Sequence, residues 1–121
     1  MMHIVVLDCP PHCLDSSAWE GLAGGGRVSR YEGTSFTDLI ERAADATVIV
    51  TTRLPLRREV LDYLTRLETV AVPRGRADSL VETSIARQLG VRVVEFDPPR
   101  EDDRRCAWIG SLRGVLAAAG R

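Results

Sequence analysis

Five short runs that contain apolar residues form the framework of this chain. They lie at residues 3–7, 28–31, 47–50, 69–72 and 91–96, and each predicts a strand. The first, third and fourth runs are almost wholly apolar, which is typical of strands that are buried on both faces. The central run predicts a core strand that opens into a loop carrying Thr52 and Arg53.

Helical patterns occupy the segments between these runs. After the N-cap candidate Ser35, apolar residues recur at the i, i+3, i+4, i+7 and i+8 spacing of a helix that packs on a sheet. Three further helices are predicted from residues typical of helix N-termini. Ser17 and Ser79 are the N-cap candidates of two of them, and Pro55 begins the third. A last helix is predicted at residues 104–120, after a linker rich in proline and acidic residues.

The alternation of strands and helices predicts the fold class. Strands joined through helices pair in parallel by right-handed crossovers, which favours an α/β, flavodoxin-like, doubly wound five-stranded sheet. The simplest strand order is 2-1-3-4-5, with helices on both faces and an extra C-terminal helix. We expect a single domain over residues 1–121, with the linker at 97–103, and a ligand crevice at the carboxyl ends of the strands.

Composition excludes several classes of function. The chain has 121 residues, a net charge of -1 and a pI near 6.1, which give no basic footprint for nucleic acid or anionic membrane. The N-terminus carries no positively charged segment before its short apolar run, so a cytoplasmic location is expected. All sixteen basic residues are arginine, so Schiff-base chemistry on lysine is excluded. With three cysteines and a reducing compartment, a structural disulfide is not expected.

The glycine triplet at residues 24–26 is interpreted as a turn. A phosphate cradle is the alternative, but such loops lie between a strand and a helix start, whereas these glycines follow a predicted helix.

Arginines at two predicted strand ends point to an anion site. Arg53 follows the third strand, while Arg74, Gly75 and Arg76 follow the fourth. Guanidinium groups bind carboxylate or phosphate in a bidentate manner, so a small anionic ligand is expected, with Thr52 beside Arg53. The alternative is that these arginines are solvated or pair with acidic residues, for which Glu59 and Asp78 are candidates.

A second candidate is the loop Cys9-Pro-Pro-His12-Cys13 after the first strand. Cys9 and His12 could form a nucleophile and base. With both thiols the loop could also form part of a zinc site, but a fourth protein ligand is missing and no metal or other cofactor is expected. The alternative is that the thiols are small buried hydrophobes. Asp8 is expected to belong to the scaffold.

The segments DATVIVTTRLPLRREVL and ARQLGVRVVE carry a family resemblance. Residues 3–96 resemble the N-terminal substrate-binding domain of the D-isomer-specific 2-hydroxyacid dehydrogenases, with the closest likeness to the glycerate and phosphoglycerate dehydrogenase branch. The resemblance implies a flavodoxin-like half of a two-domain enzyme that contacts the substrate carboxylate. In that family the NAD-binding loop and the catalytic arginine, acid and histidine lie in the other domain, so hydride transfer by these residues alone is not expected.

The chain also departs from that family. Arg57 stands where the family usually has a threonine that caps a helix. The loop after the fourth strand has Arg74 and Arg76 in place of glycines, which weakens the family's backbone grip on the carboxylate and offers guanidinium groups instead.

Three functional hypotheses result. The first is a stand-alone binding domain for a small carboxylate of the 2-oxo or 2-hydroxy acid type, or a repurposed enzyme that uses neither redox chemistry nor a nucleotide. The second is a subunit of a split D-2-hydroxyacid dehydrogenase whose nucleotide-binding domain is a separate chain. The third is a regulatory or interaction module. A homodimer is favoured, because Gly110 and Gly114 permit close approach of a second helix.

Overall fold

In a computed structural model that describes residues 2–119, the chain forms one five-stranded sheet. All neighbouring strands are parallel and their order is β2-β1-β3-β4-β5, which confirms the predicted α/β class and strand order. The strands are β1 (His3–Val6), β2 (Arg27–Arg30), β3 (Val48–Val50), β4 (Thr69–Pro73) and β5 (Arg92–Phe96).

The central strands are buried on both faces. In β1, Val5 contributes to the core on one face of the sheet, whereas Ile4 and Val6 contribute to the core on the other. In β3, Ile49 contributes to the same core as Val5, whereas Val48 and Val50 contribute to the other. Alternate side chains of a strand point to opposite faces, so a strand between two cores must be apolar at every position, as the sequence pattern indicated.

Four helices cover one face, which we call the α1 face. They are α1 (Phe36–Ala43), α2 (Arg58–Tyr63), α3 (Ala77–Leu80) and α4 (Thr83–Gln88). The predicted helix after Ser35 is confirmed, and the Ser35 hydroxyl accepts a hydrogen bond from the Asp38 backbone N–H at 3.3 Å. Leu39 and Ala43 of α1 are fully buried against Val5 and Ile49 of the sheet.

Two helix boundaries on this face differ from the prediction. Pro55 lies before α2 rather than inside it, because Leu56 forms an isolated β-bridge with Val81. The same bridge interrupts the helix predicted after Ser79, so that α3 and α4 form in place of one helix. Ser79 does not cap either of them, since its hydroxyl donates to the backbone carbonyl of Arg76.

The opposite face, which we call the α5 face, is covered by α5 (Trp108–Ala119) and by two 3₁₀ turns, Pro11–Cys13 and Ser17–Trp19. The prediction of a helix after Ser17 is therefore wrong, because only a 3₁₀ turn forms there. Ser16 caps this turn by accepting a hydrogen bond from the Ala18 backbone N–H.

Aromatic side chains fill the core of the α5 face. Trp108 packs edge-on against Trp19, with ring centroids 5.3 Å apart, and lies 5.8 Å from Phe96. Trp108 is thus a core residue. Within residues 2–119, every helix is too short or too polar to cross a bilayer.

A disulfide between Cys13 and Cys106 joins the loop after β1 to the start of α5, so the expectation of no structural disulfide is wrong. The two cysteines are 93 residues apart in the sequence, but their Cα atoms are 5.9 Å apart, well within disulfide range. Both are buried, and Cys9 is the free cysteine. Sequence spacing could not reveal this proximity, because it depends on where α5 returns to the sheet.

The helix α5 begins later than predicted. Residues 104–107 lie outside it, and Cys106 has a positive φ of 57°. The Asp103 carboxylate accepts hydrogen bonds from the backbone N–H groups of Arg105 and Trp108, at 3.2 and 3.3 Å. Hydrogen bonds from backbone N–H groups hold the pKa of the Asp103 carboxyl below its usual value, and the bond from Ala107 contributes most. The end predicted at residue 120 lies outside the described residues.

The glycine triplet forms a turn between the second 3₁₀ turn and β2, as interpreted from the sequence. At Gly26 a side chain would collide with the backbone carbonyl of Met2, so the close approach of the two backbones requires glycine there.

Candidate anion-binding site

The residues singled out in the sequence lie at the carboxyl edge of the sheet. Backbone hydrogen bonds fix this edge: the N–H of Leu7 donates to Val50 and that of Thr51 donates to Ala71. The N–H of Arg74 donates to Phe96 in the same way. The loops after β1, β3, β4 and β5 therefore emerge side by side, at the edge where doubly wound sheets bind ligands.

The loop after β3 is held by a buried threonine. Thr51 is fully buried, and its hydroxyl donates to the backbone carbonyl of Leu54 at 2.8 Å. This bond closes a tight turn, on which Thr52 is half-buried and Arg53 is exposed. The sequence signal was the pair of threonines at the end of an apolar run.

Arg53 forms an ion pair with Asp8 across the ends of β1 and β3. Its Nη2 lies 2.9 Å from Oδ1 of Asp8. The Asp8 side chain is only 9% exposed, whereas that of Arg53 is 69% exposed. Asp8 therefore anchors one N–H of a guanidinium whose remaining donors are available to solvent or to a ligand.

The second oxygen of Asp8, Oδ2, is buried and accepts no hydrogen bond from the described residues. A carboxylate that was interpreted as scaffold is thus the anchor of the main candidate cation.

Arg74 is paired with the acid that follows β5. Its Nε and Nη2 donate to Oδ1 of Asp97 at 3.2 and 2.8 Å, and both side chains are largely exposed. These hydrogen bonds, together with the charge of Asp97, raise the pKa of the Arg74 guanidinium above its usual value. The arginines pair with Asp8 and Asp97, rather than with the sequence candidates Glu59 and Asp78.

Gly75 forms the tip of the loop after β4, with a positive φ of 81°. Its backbone N–H donates to Oε2 of Glu95 at 2.6 Å, and Arg76 donates from Nε to the hydroxyl of Ser79 at 3.0 Å. Two acidic side chains, Asp97 and Glu95, and the Ser79 hydroxyl therefore accept hydrogen bonds from the loop that was expected to bind an anion.

Cys9 and His12 are engaged in separate contacts. Cys9 is 1% exposed, its thiol donates to the backbone carbonyl of Pro10, and burial raises its pKa to about 11 despite the charge of Arg30. His12 is exposed, and its Nε2 donates to the backbone carbonyl of Asp103 at 2.8 Å. The thiol at position 9 is thus protonated near neutral pH, and the imidazole is tied to the segment before α5.

His12 also lies beside the disulfide. A ring nitrogen of His12 and the sulfurs of Cys13 and Cys106 lie within 4.8 Å of one another. Cysteine binds zinc as the thiolate, and both sulfurs are covalently paired here. The arrangement therefore provides no metal site in the disulfide form.

Comparison with known proteins identifies one sequence relative and several solved structures. The chain is 33% identical over 100 residues to a hydroxypyruvate reductase from Blautia hydrogenotrophica, covering 78% of this chain and 30% of that protein. No protein-family model matches the sequence.

Two solved structures have the same fold. An oxidoreductase from Ralstonia solanacearum, assigned as a D-3-phosphoglycerate dehydrogenase, aligns with a TM-score of 0.69 and 23% identity, over 82% of this chain and 31% of that one. A phosphoglycerate oxidoreductase from Vibrio cholerae aligns with a TM-score of 0.68 and 24% identity, over 82% and 32% of the two chains.

The chain thus spans about a third of the length of the proteins that it matches. The expected resemblance is confirmed: this chain is similar in sequence and fold to one domain of the D-isomer-specific 2-hydroxyacid dehydrogenases.

Proposed function

We propose that the carboxyl edge of the sheet binds a small carboxylate of the 2-oxo or 2-hydroxy acid type. The observation that carries this proposal is Arg53, a largely exposed guanidinium held at the switch point between β1 and β3 by the buried side chain of Asp8. Hydroxypyruvate, the compound in the name of the sequence relative, is itself a 2-oxo carboxylate.

Arg53 is the principal binding residue in this proposal. A single N–H of its guanidinium donates to Asp8, which leaves other N–H groups for a bidentate contact with a ligand carboxylate. The pairing with Asp8 also limits the rotamers of Arg53, so less conformational entropy is lost on binding. Thr52, next to it on the same turn, supplies a hydroxyl.

The loop after β4 supplies the second set of donors. In the free protein, donors on this loop bond to other side chains: Arg74 to Asp97, Gly75 to Glu95 and Arg76 to Ser79. On binding, these donors exchange those partners for the ligand. A ligand carboxylate replaces a protein carboxylate at Arg74 and Gly75 and a hydroxyl at Arg76, so the exchange leaves each donor satisfied.

His12 is the acid-base candidate in any reaction at this edge, because its imidazole is exposed and its Nδ1 is the acceptor when Nε2 donates to Asp103. Cys9 acts as a nucleophile only after it loses its proton, which its burial opposes. Binding rather than catalysis is therefore the function that we assign.

The binding experiment is titration calorimetry of the chain with hydroxypyruvate, pyruvate and D-lactate. We expect one of these acids to bind, and Arg53→Ala to abolish the heat. The matched control is Arg87→Ala, which removes an exposed arginine from the end of α4, away from the strand ends. A ligand at about 100 times its Kd also stabilises the fold by about 2.7 kcal/mol, so thermal unfolding gives an independent readout.

The variant Asp8→Asn sharpens this test. If Asp8 competes with the ligand for Arg53, removing its charge raises the affinity; if Asp8 only orients Arg53, the affinity falls. Equal binding by the wild type and Arg53→Ala would contradict the proposal, as would the absence of binding by all three acids.

A second candidate function is the substrate-binding part of a dehydrogenase whose nucleotide-binding part is a separate chain. The relatives are about three times as long as the matched region, which favours this candidate. A nucleotide-binding protein from the same genome, mixed with this chain, should then oxidise NADH in the presence of hydroxypyruvate. Oxidation that does not depend on this chain would exclude the pairing.

The homodimer stays a prediction, with Gly110 and Gly114 exposed on α5.

A further inference from the structure

Three polar side chains meet at the amino edge of the sheet, at the opposite ends of the strands from the anion-binding site. His3 begins β1, Ser29 lies in β2, and Asp45 follows α1 shortly before β3. Val5 is the register partner of Ser29, so the side chains of His3 and Ser29 are diagonal neighbours on the α1 face.

These side chains form a continuous hydrogen-bonded chain. Nε2 of His3 lies 2.8 Å from the hydroxyl oxygen of Ser29, and Nδ1 lies 3.1 Å from Oδ1 of Asp45. The carboxylate only accepts hydrogen bonds, so Nδ1 carries the proton and Nε2 is the acceptor that faces the serine hydroxyl. Nη2 of Arg27 is farther from Nδ1, at 3.4 Å, and is instead bonded to Asp45.

The surroundings hold this arrangement in place. His3 is 8% exposed, and its backbone N–H donates to the hydroxyl of Thr47 at 2.9 Å. Arg27 donates to Oδ2 of Asp45 at 2.7 Å, which leaves Oδ1 for the imidazole. Partial desolvation raises the pKa of Asp45, but attraction to His3 and Arg27 lowers it by more, so the group is a carboxylate at neutral pH.

The serine opens onto a cavity of about 460 Å³. His3, Ser29 and Asp45 line it together with Arg27, Tyr31 and Arg42. A nucleophile within hydrogen-bond reach of a base, which is in turn oriented by a third group, is the geometric signature of nucleophilic catalysis whatever the fold. No residue of this group belongs to the carboxyl edge, so the arrangement is independent of carboxylate binding there.

We propose that Ser29, His3 and Asp45 form a catalytic triad that hydrolyses small carboxylic esters. Oγ of Ser29 attacks the acyl carbon while its proton passes to Nε2 of His3. The bond to the leaving alkoxide breaks, and the alkoxide takes that proton and departs as an alcohol. A water molecule, deprotonated by the same nitrogen, then cleaves the acyl-serine ester, which releases the acid and restores the Ser29 hydroxyl. Asp45 orients the ring and stabilises its protonated form.

The kinetic test is hydrolysis of 4-nitrophenyl acetate by the full chain. We expect turnover above the buffer rate, and a fall of about 10²- to 10⁴-fold in the Ser29→Ala and His3→Gln variants, the range of a general-base contribution. The control is Ser84→Ala, which removes an exposed hydroxyl from α4. Turnover that persists in Ser29→Ala would overturn the proposal, because Oγ of Ser29 would then not be the nucleophile. Turnover at the buffer rate in the wild type would also overturn it.

Labelling of the wild-type chain by a fluorophosphonate is a second test, which does not depend on whether a variant folds. Oγ of Ser29 forms a bond to phosphorus, fluoride leaves, and the hydroxyl proton passes to His3. Mass spectrometry should locate one adduct on the peptide that contains Ser29, and Asp45→Asn should slow its formation. An adduct on another serine, or none, would overturn the assignment.

Discussion

The two faces of the sheet are stabilised in different ways. The α1 face is covered by four helices that follow one another along the chain, and its core is aliphatic. The α5 face has one helix, contributed by the last residues described, and its core contains Trp19, Trp108 and Phe96. The Cys13–Cys106 disulfide fastens that helix to the loop after β1.

The difference originates between β1 and β2. Pro10 and Pro11 follow β1, and the connection to β2 contains two 3₁₀ turns in place of an α-helix. The returning α5 packs on β4 and β5 and contacts the second of these 3₁₀ turns. Besides the disulfide, Arg113 of α5 fastens the turn by donating to the carbonyls of Ala18 and Glu20 at 2.6 and 3.0 Å. Contacts between segments about 90 residues apart are costly in chain entropy, and a covalent link offsets that cost.

The largest expected effect is therefore the loss of the disulfide. The double variant Cys13→Ala, Cys106→Ala should lower the free energy of unfolding by about 4–5 kcal/mol, the value expected for a loop of this length. Denaturant titration measures the change, and Cys9→Ala is the matched control that keeps the pair intact. A wild-type unfolding curve that does not respond to reductant would contradict the assigned pairing.

Hydrogen exchange localises this effect. On reduction, the backbone amides of α5 should exchange faster while those of α1 stay protected, because α1 is joined to the sheet by short local connections. Equal acceleration in both helices would mean that the two faces unfold together.

A matched pair of truncations compares the packing of the two faces directly. Leu39 of α1 and Leu112 of α5 are both fully buried. With the disulfide intact, Leu39→Ala and Leu112→Ala should each lower the free energy of unfolding by about 2–5 kcal/mol, because both side chains are fully buried. A much smaller cost for Leu112→Ala, measured in the same denaturant titration, would show that the α5 face depends on the disulfide rather than on packing.

The third cysteine of the α5 face should react slowly. Burial raises the pKa of Cys9 from 9.0 to about 11, so at pH 8 its thiolate fraction is about 100-fold below that of an unperturbed thiol. Iodoacetamide labelling followed by mass spectrometry should show this reduced rate, with the rate rising as the pH approaches 11. A rate at pH 8 equal to that of a small free thiol would restore Cys9 as a candidate nucleophile.

The smallest effect is expected at the start of α1. Ser35→Ala removes the hydroxyl that caps this helix and should cost about 1 kcal/mol. Ser35→Asp keeps a capping acceptor and is the control, measured by thermal unfolding. A cost well above that value would mean that Ser35 also contributes to the packing of the α1 face.

From the sequence we predicted where most residues of the candidate site lie, but few of the contacts that they make. The expectation that Arg53 and Arg74 lie at strand ends followed from the end of each apolar run, and both do. That Asp8 and Asp97 are their partners did not follow, because ion pairs join loops whose proximity depends on strand order and side-chain direction. The group of His3, Ser29 and Asp45 carries no local motif at all.

The α/β class and the helix after Ser35 followed from the sequence, because hydrophobic periodicity and capping act between residues close in the chain. The strand order followed from a general rule, since 2-1-3-4-5 is the simplest arrangement of parallel strands that are joined by right-handed crossovers. Contacts within the folded chain determine that Cys13 pairs with Cys106, that the bridge between Leu56 and Val81 divides a predicted helix, and that α5 packs on β4 and β5 beside the second 3₁₀ turn. Each of these depends on contacts between segments distant in the chain, whose free energy is gained only when the whole sheet has assembled.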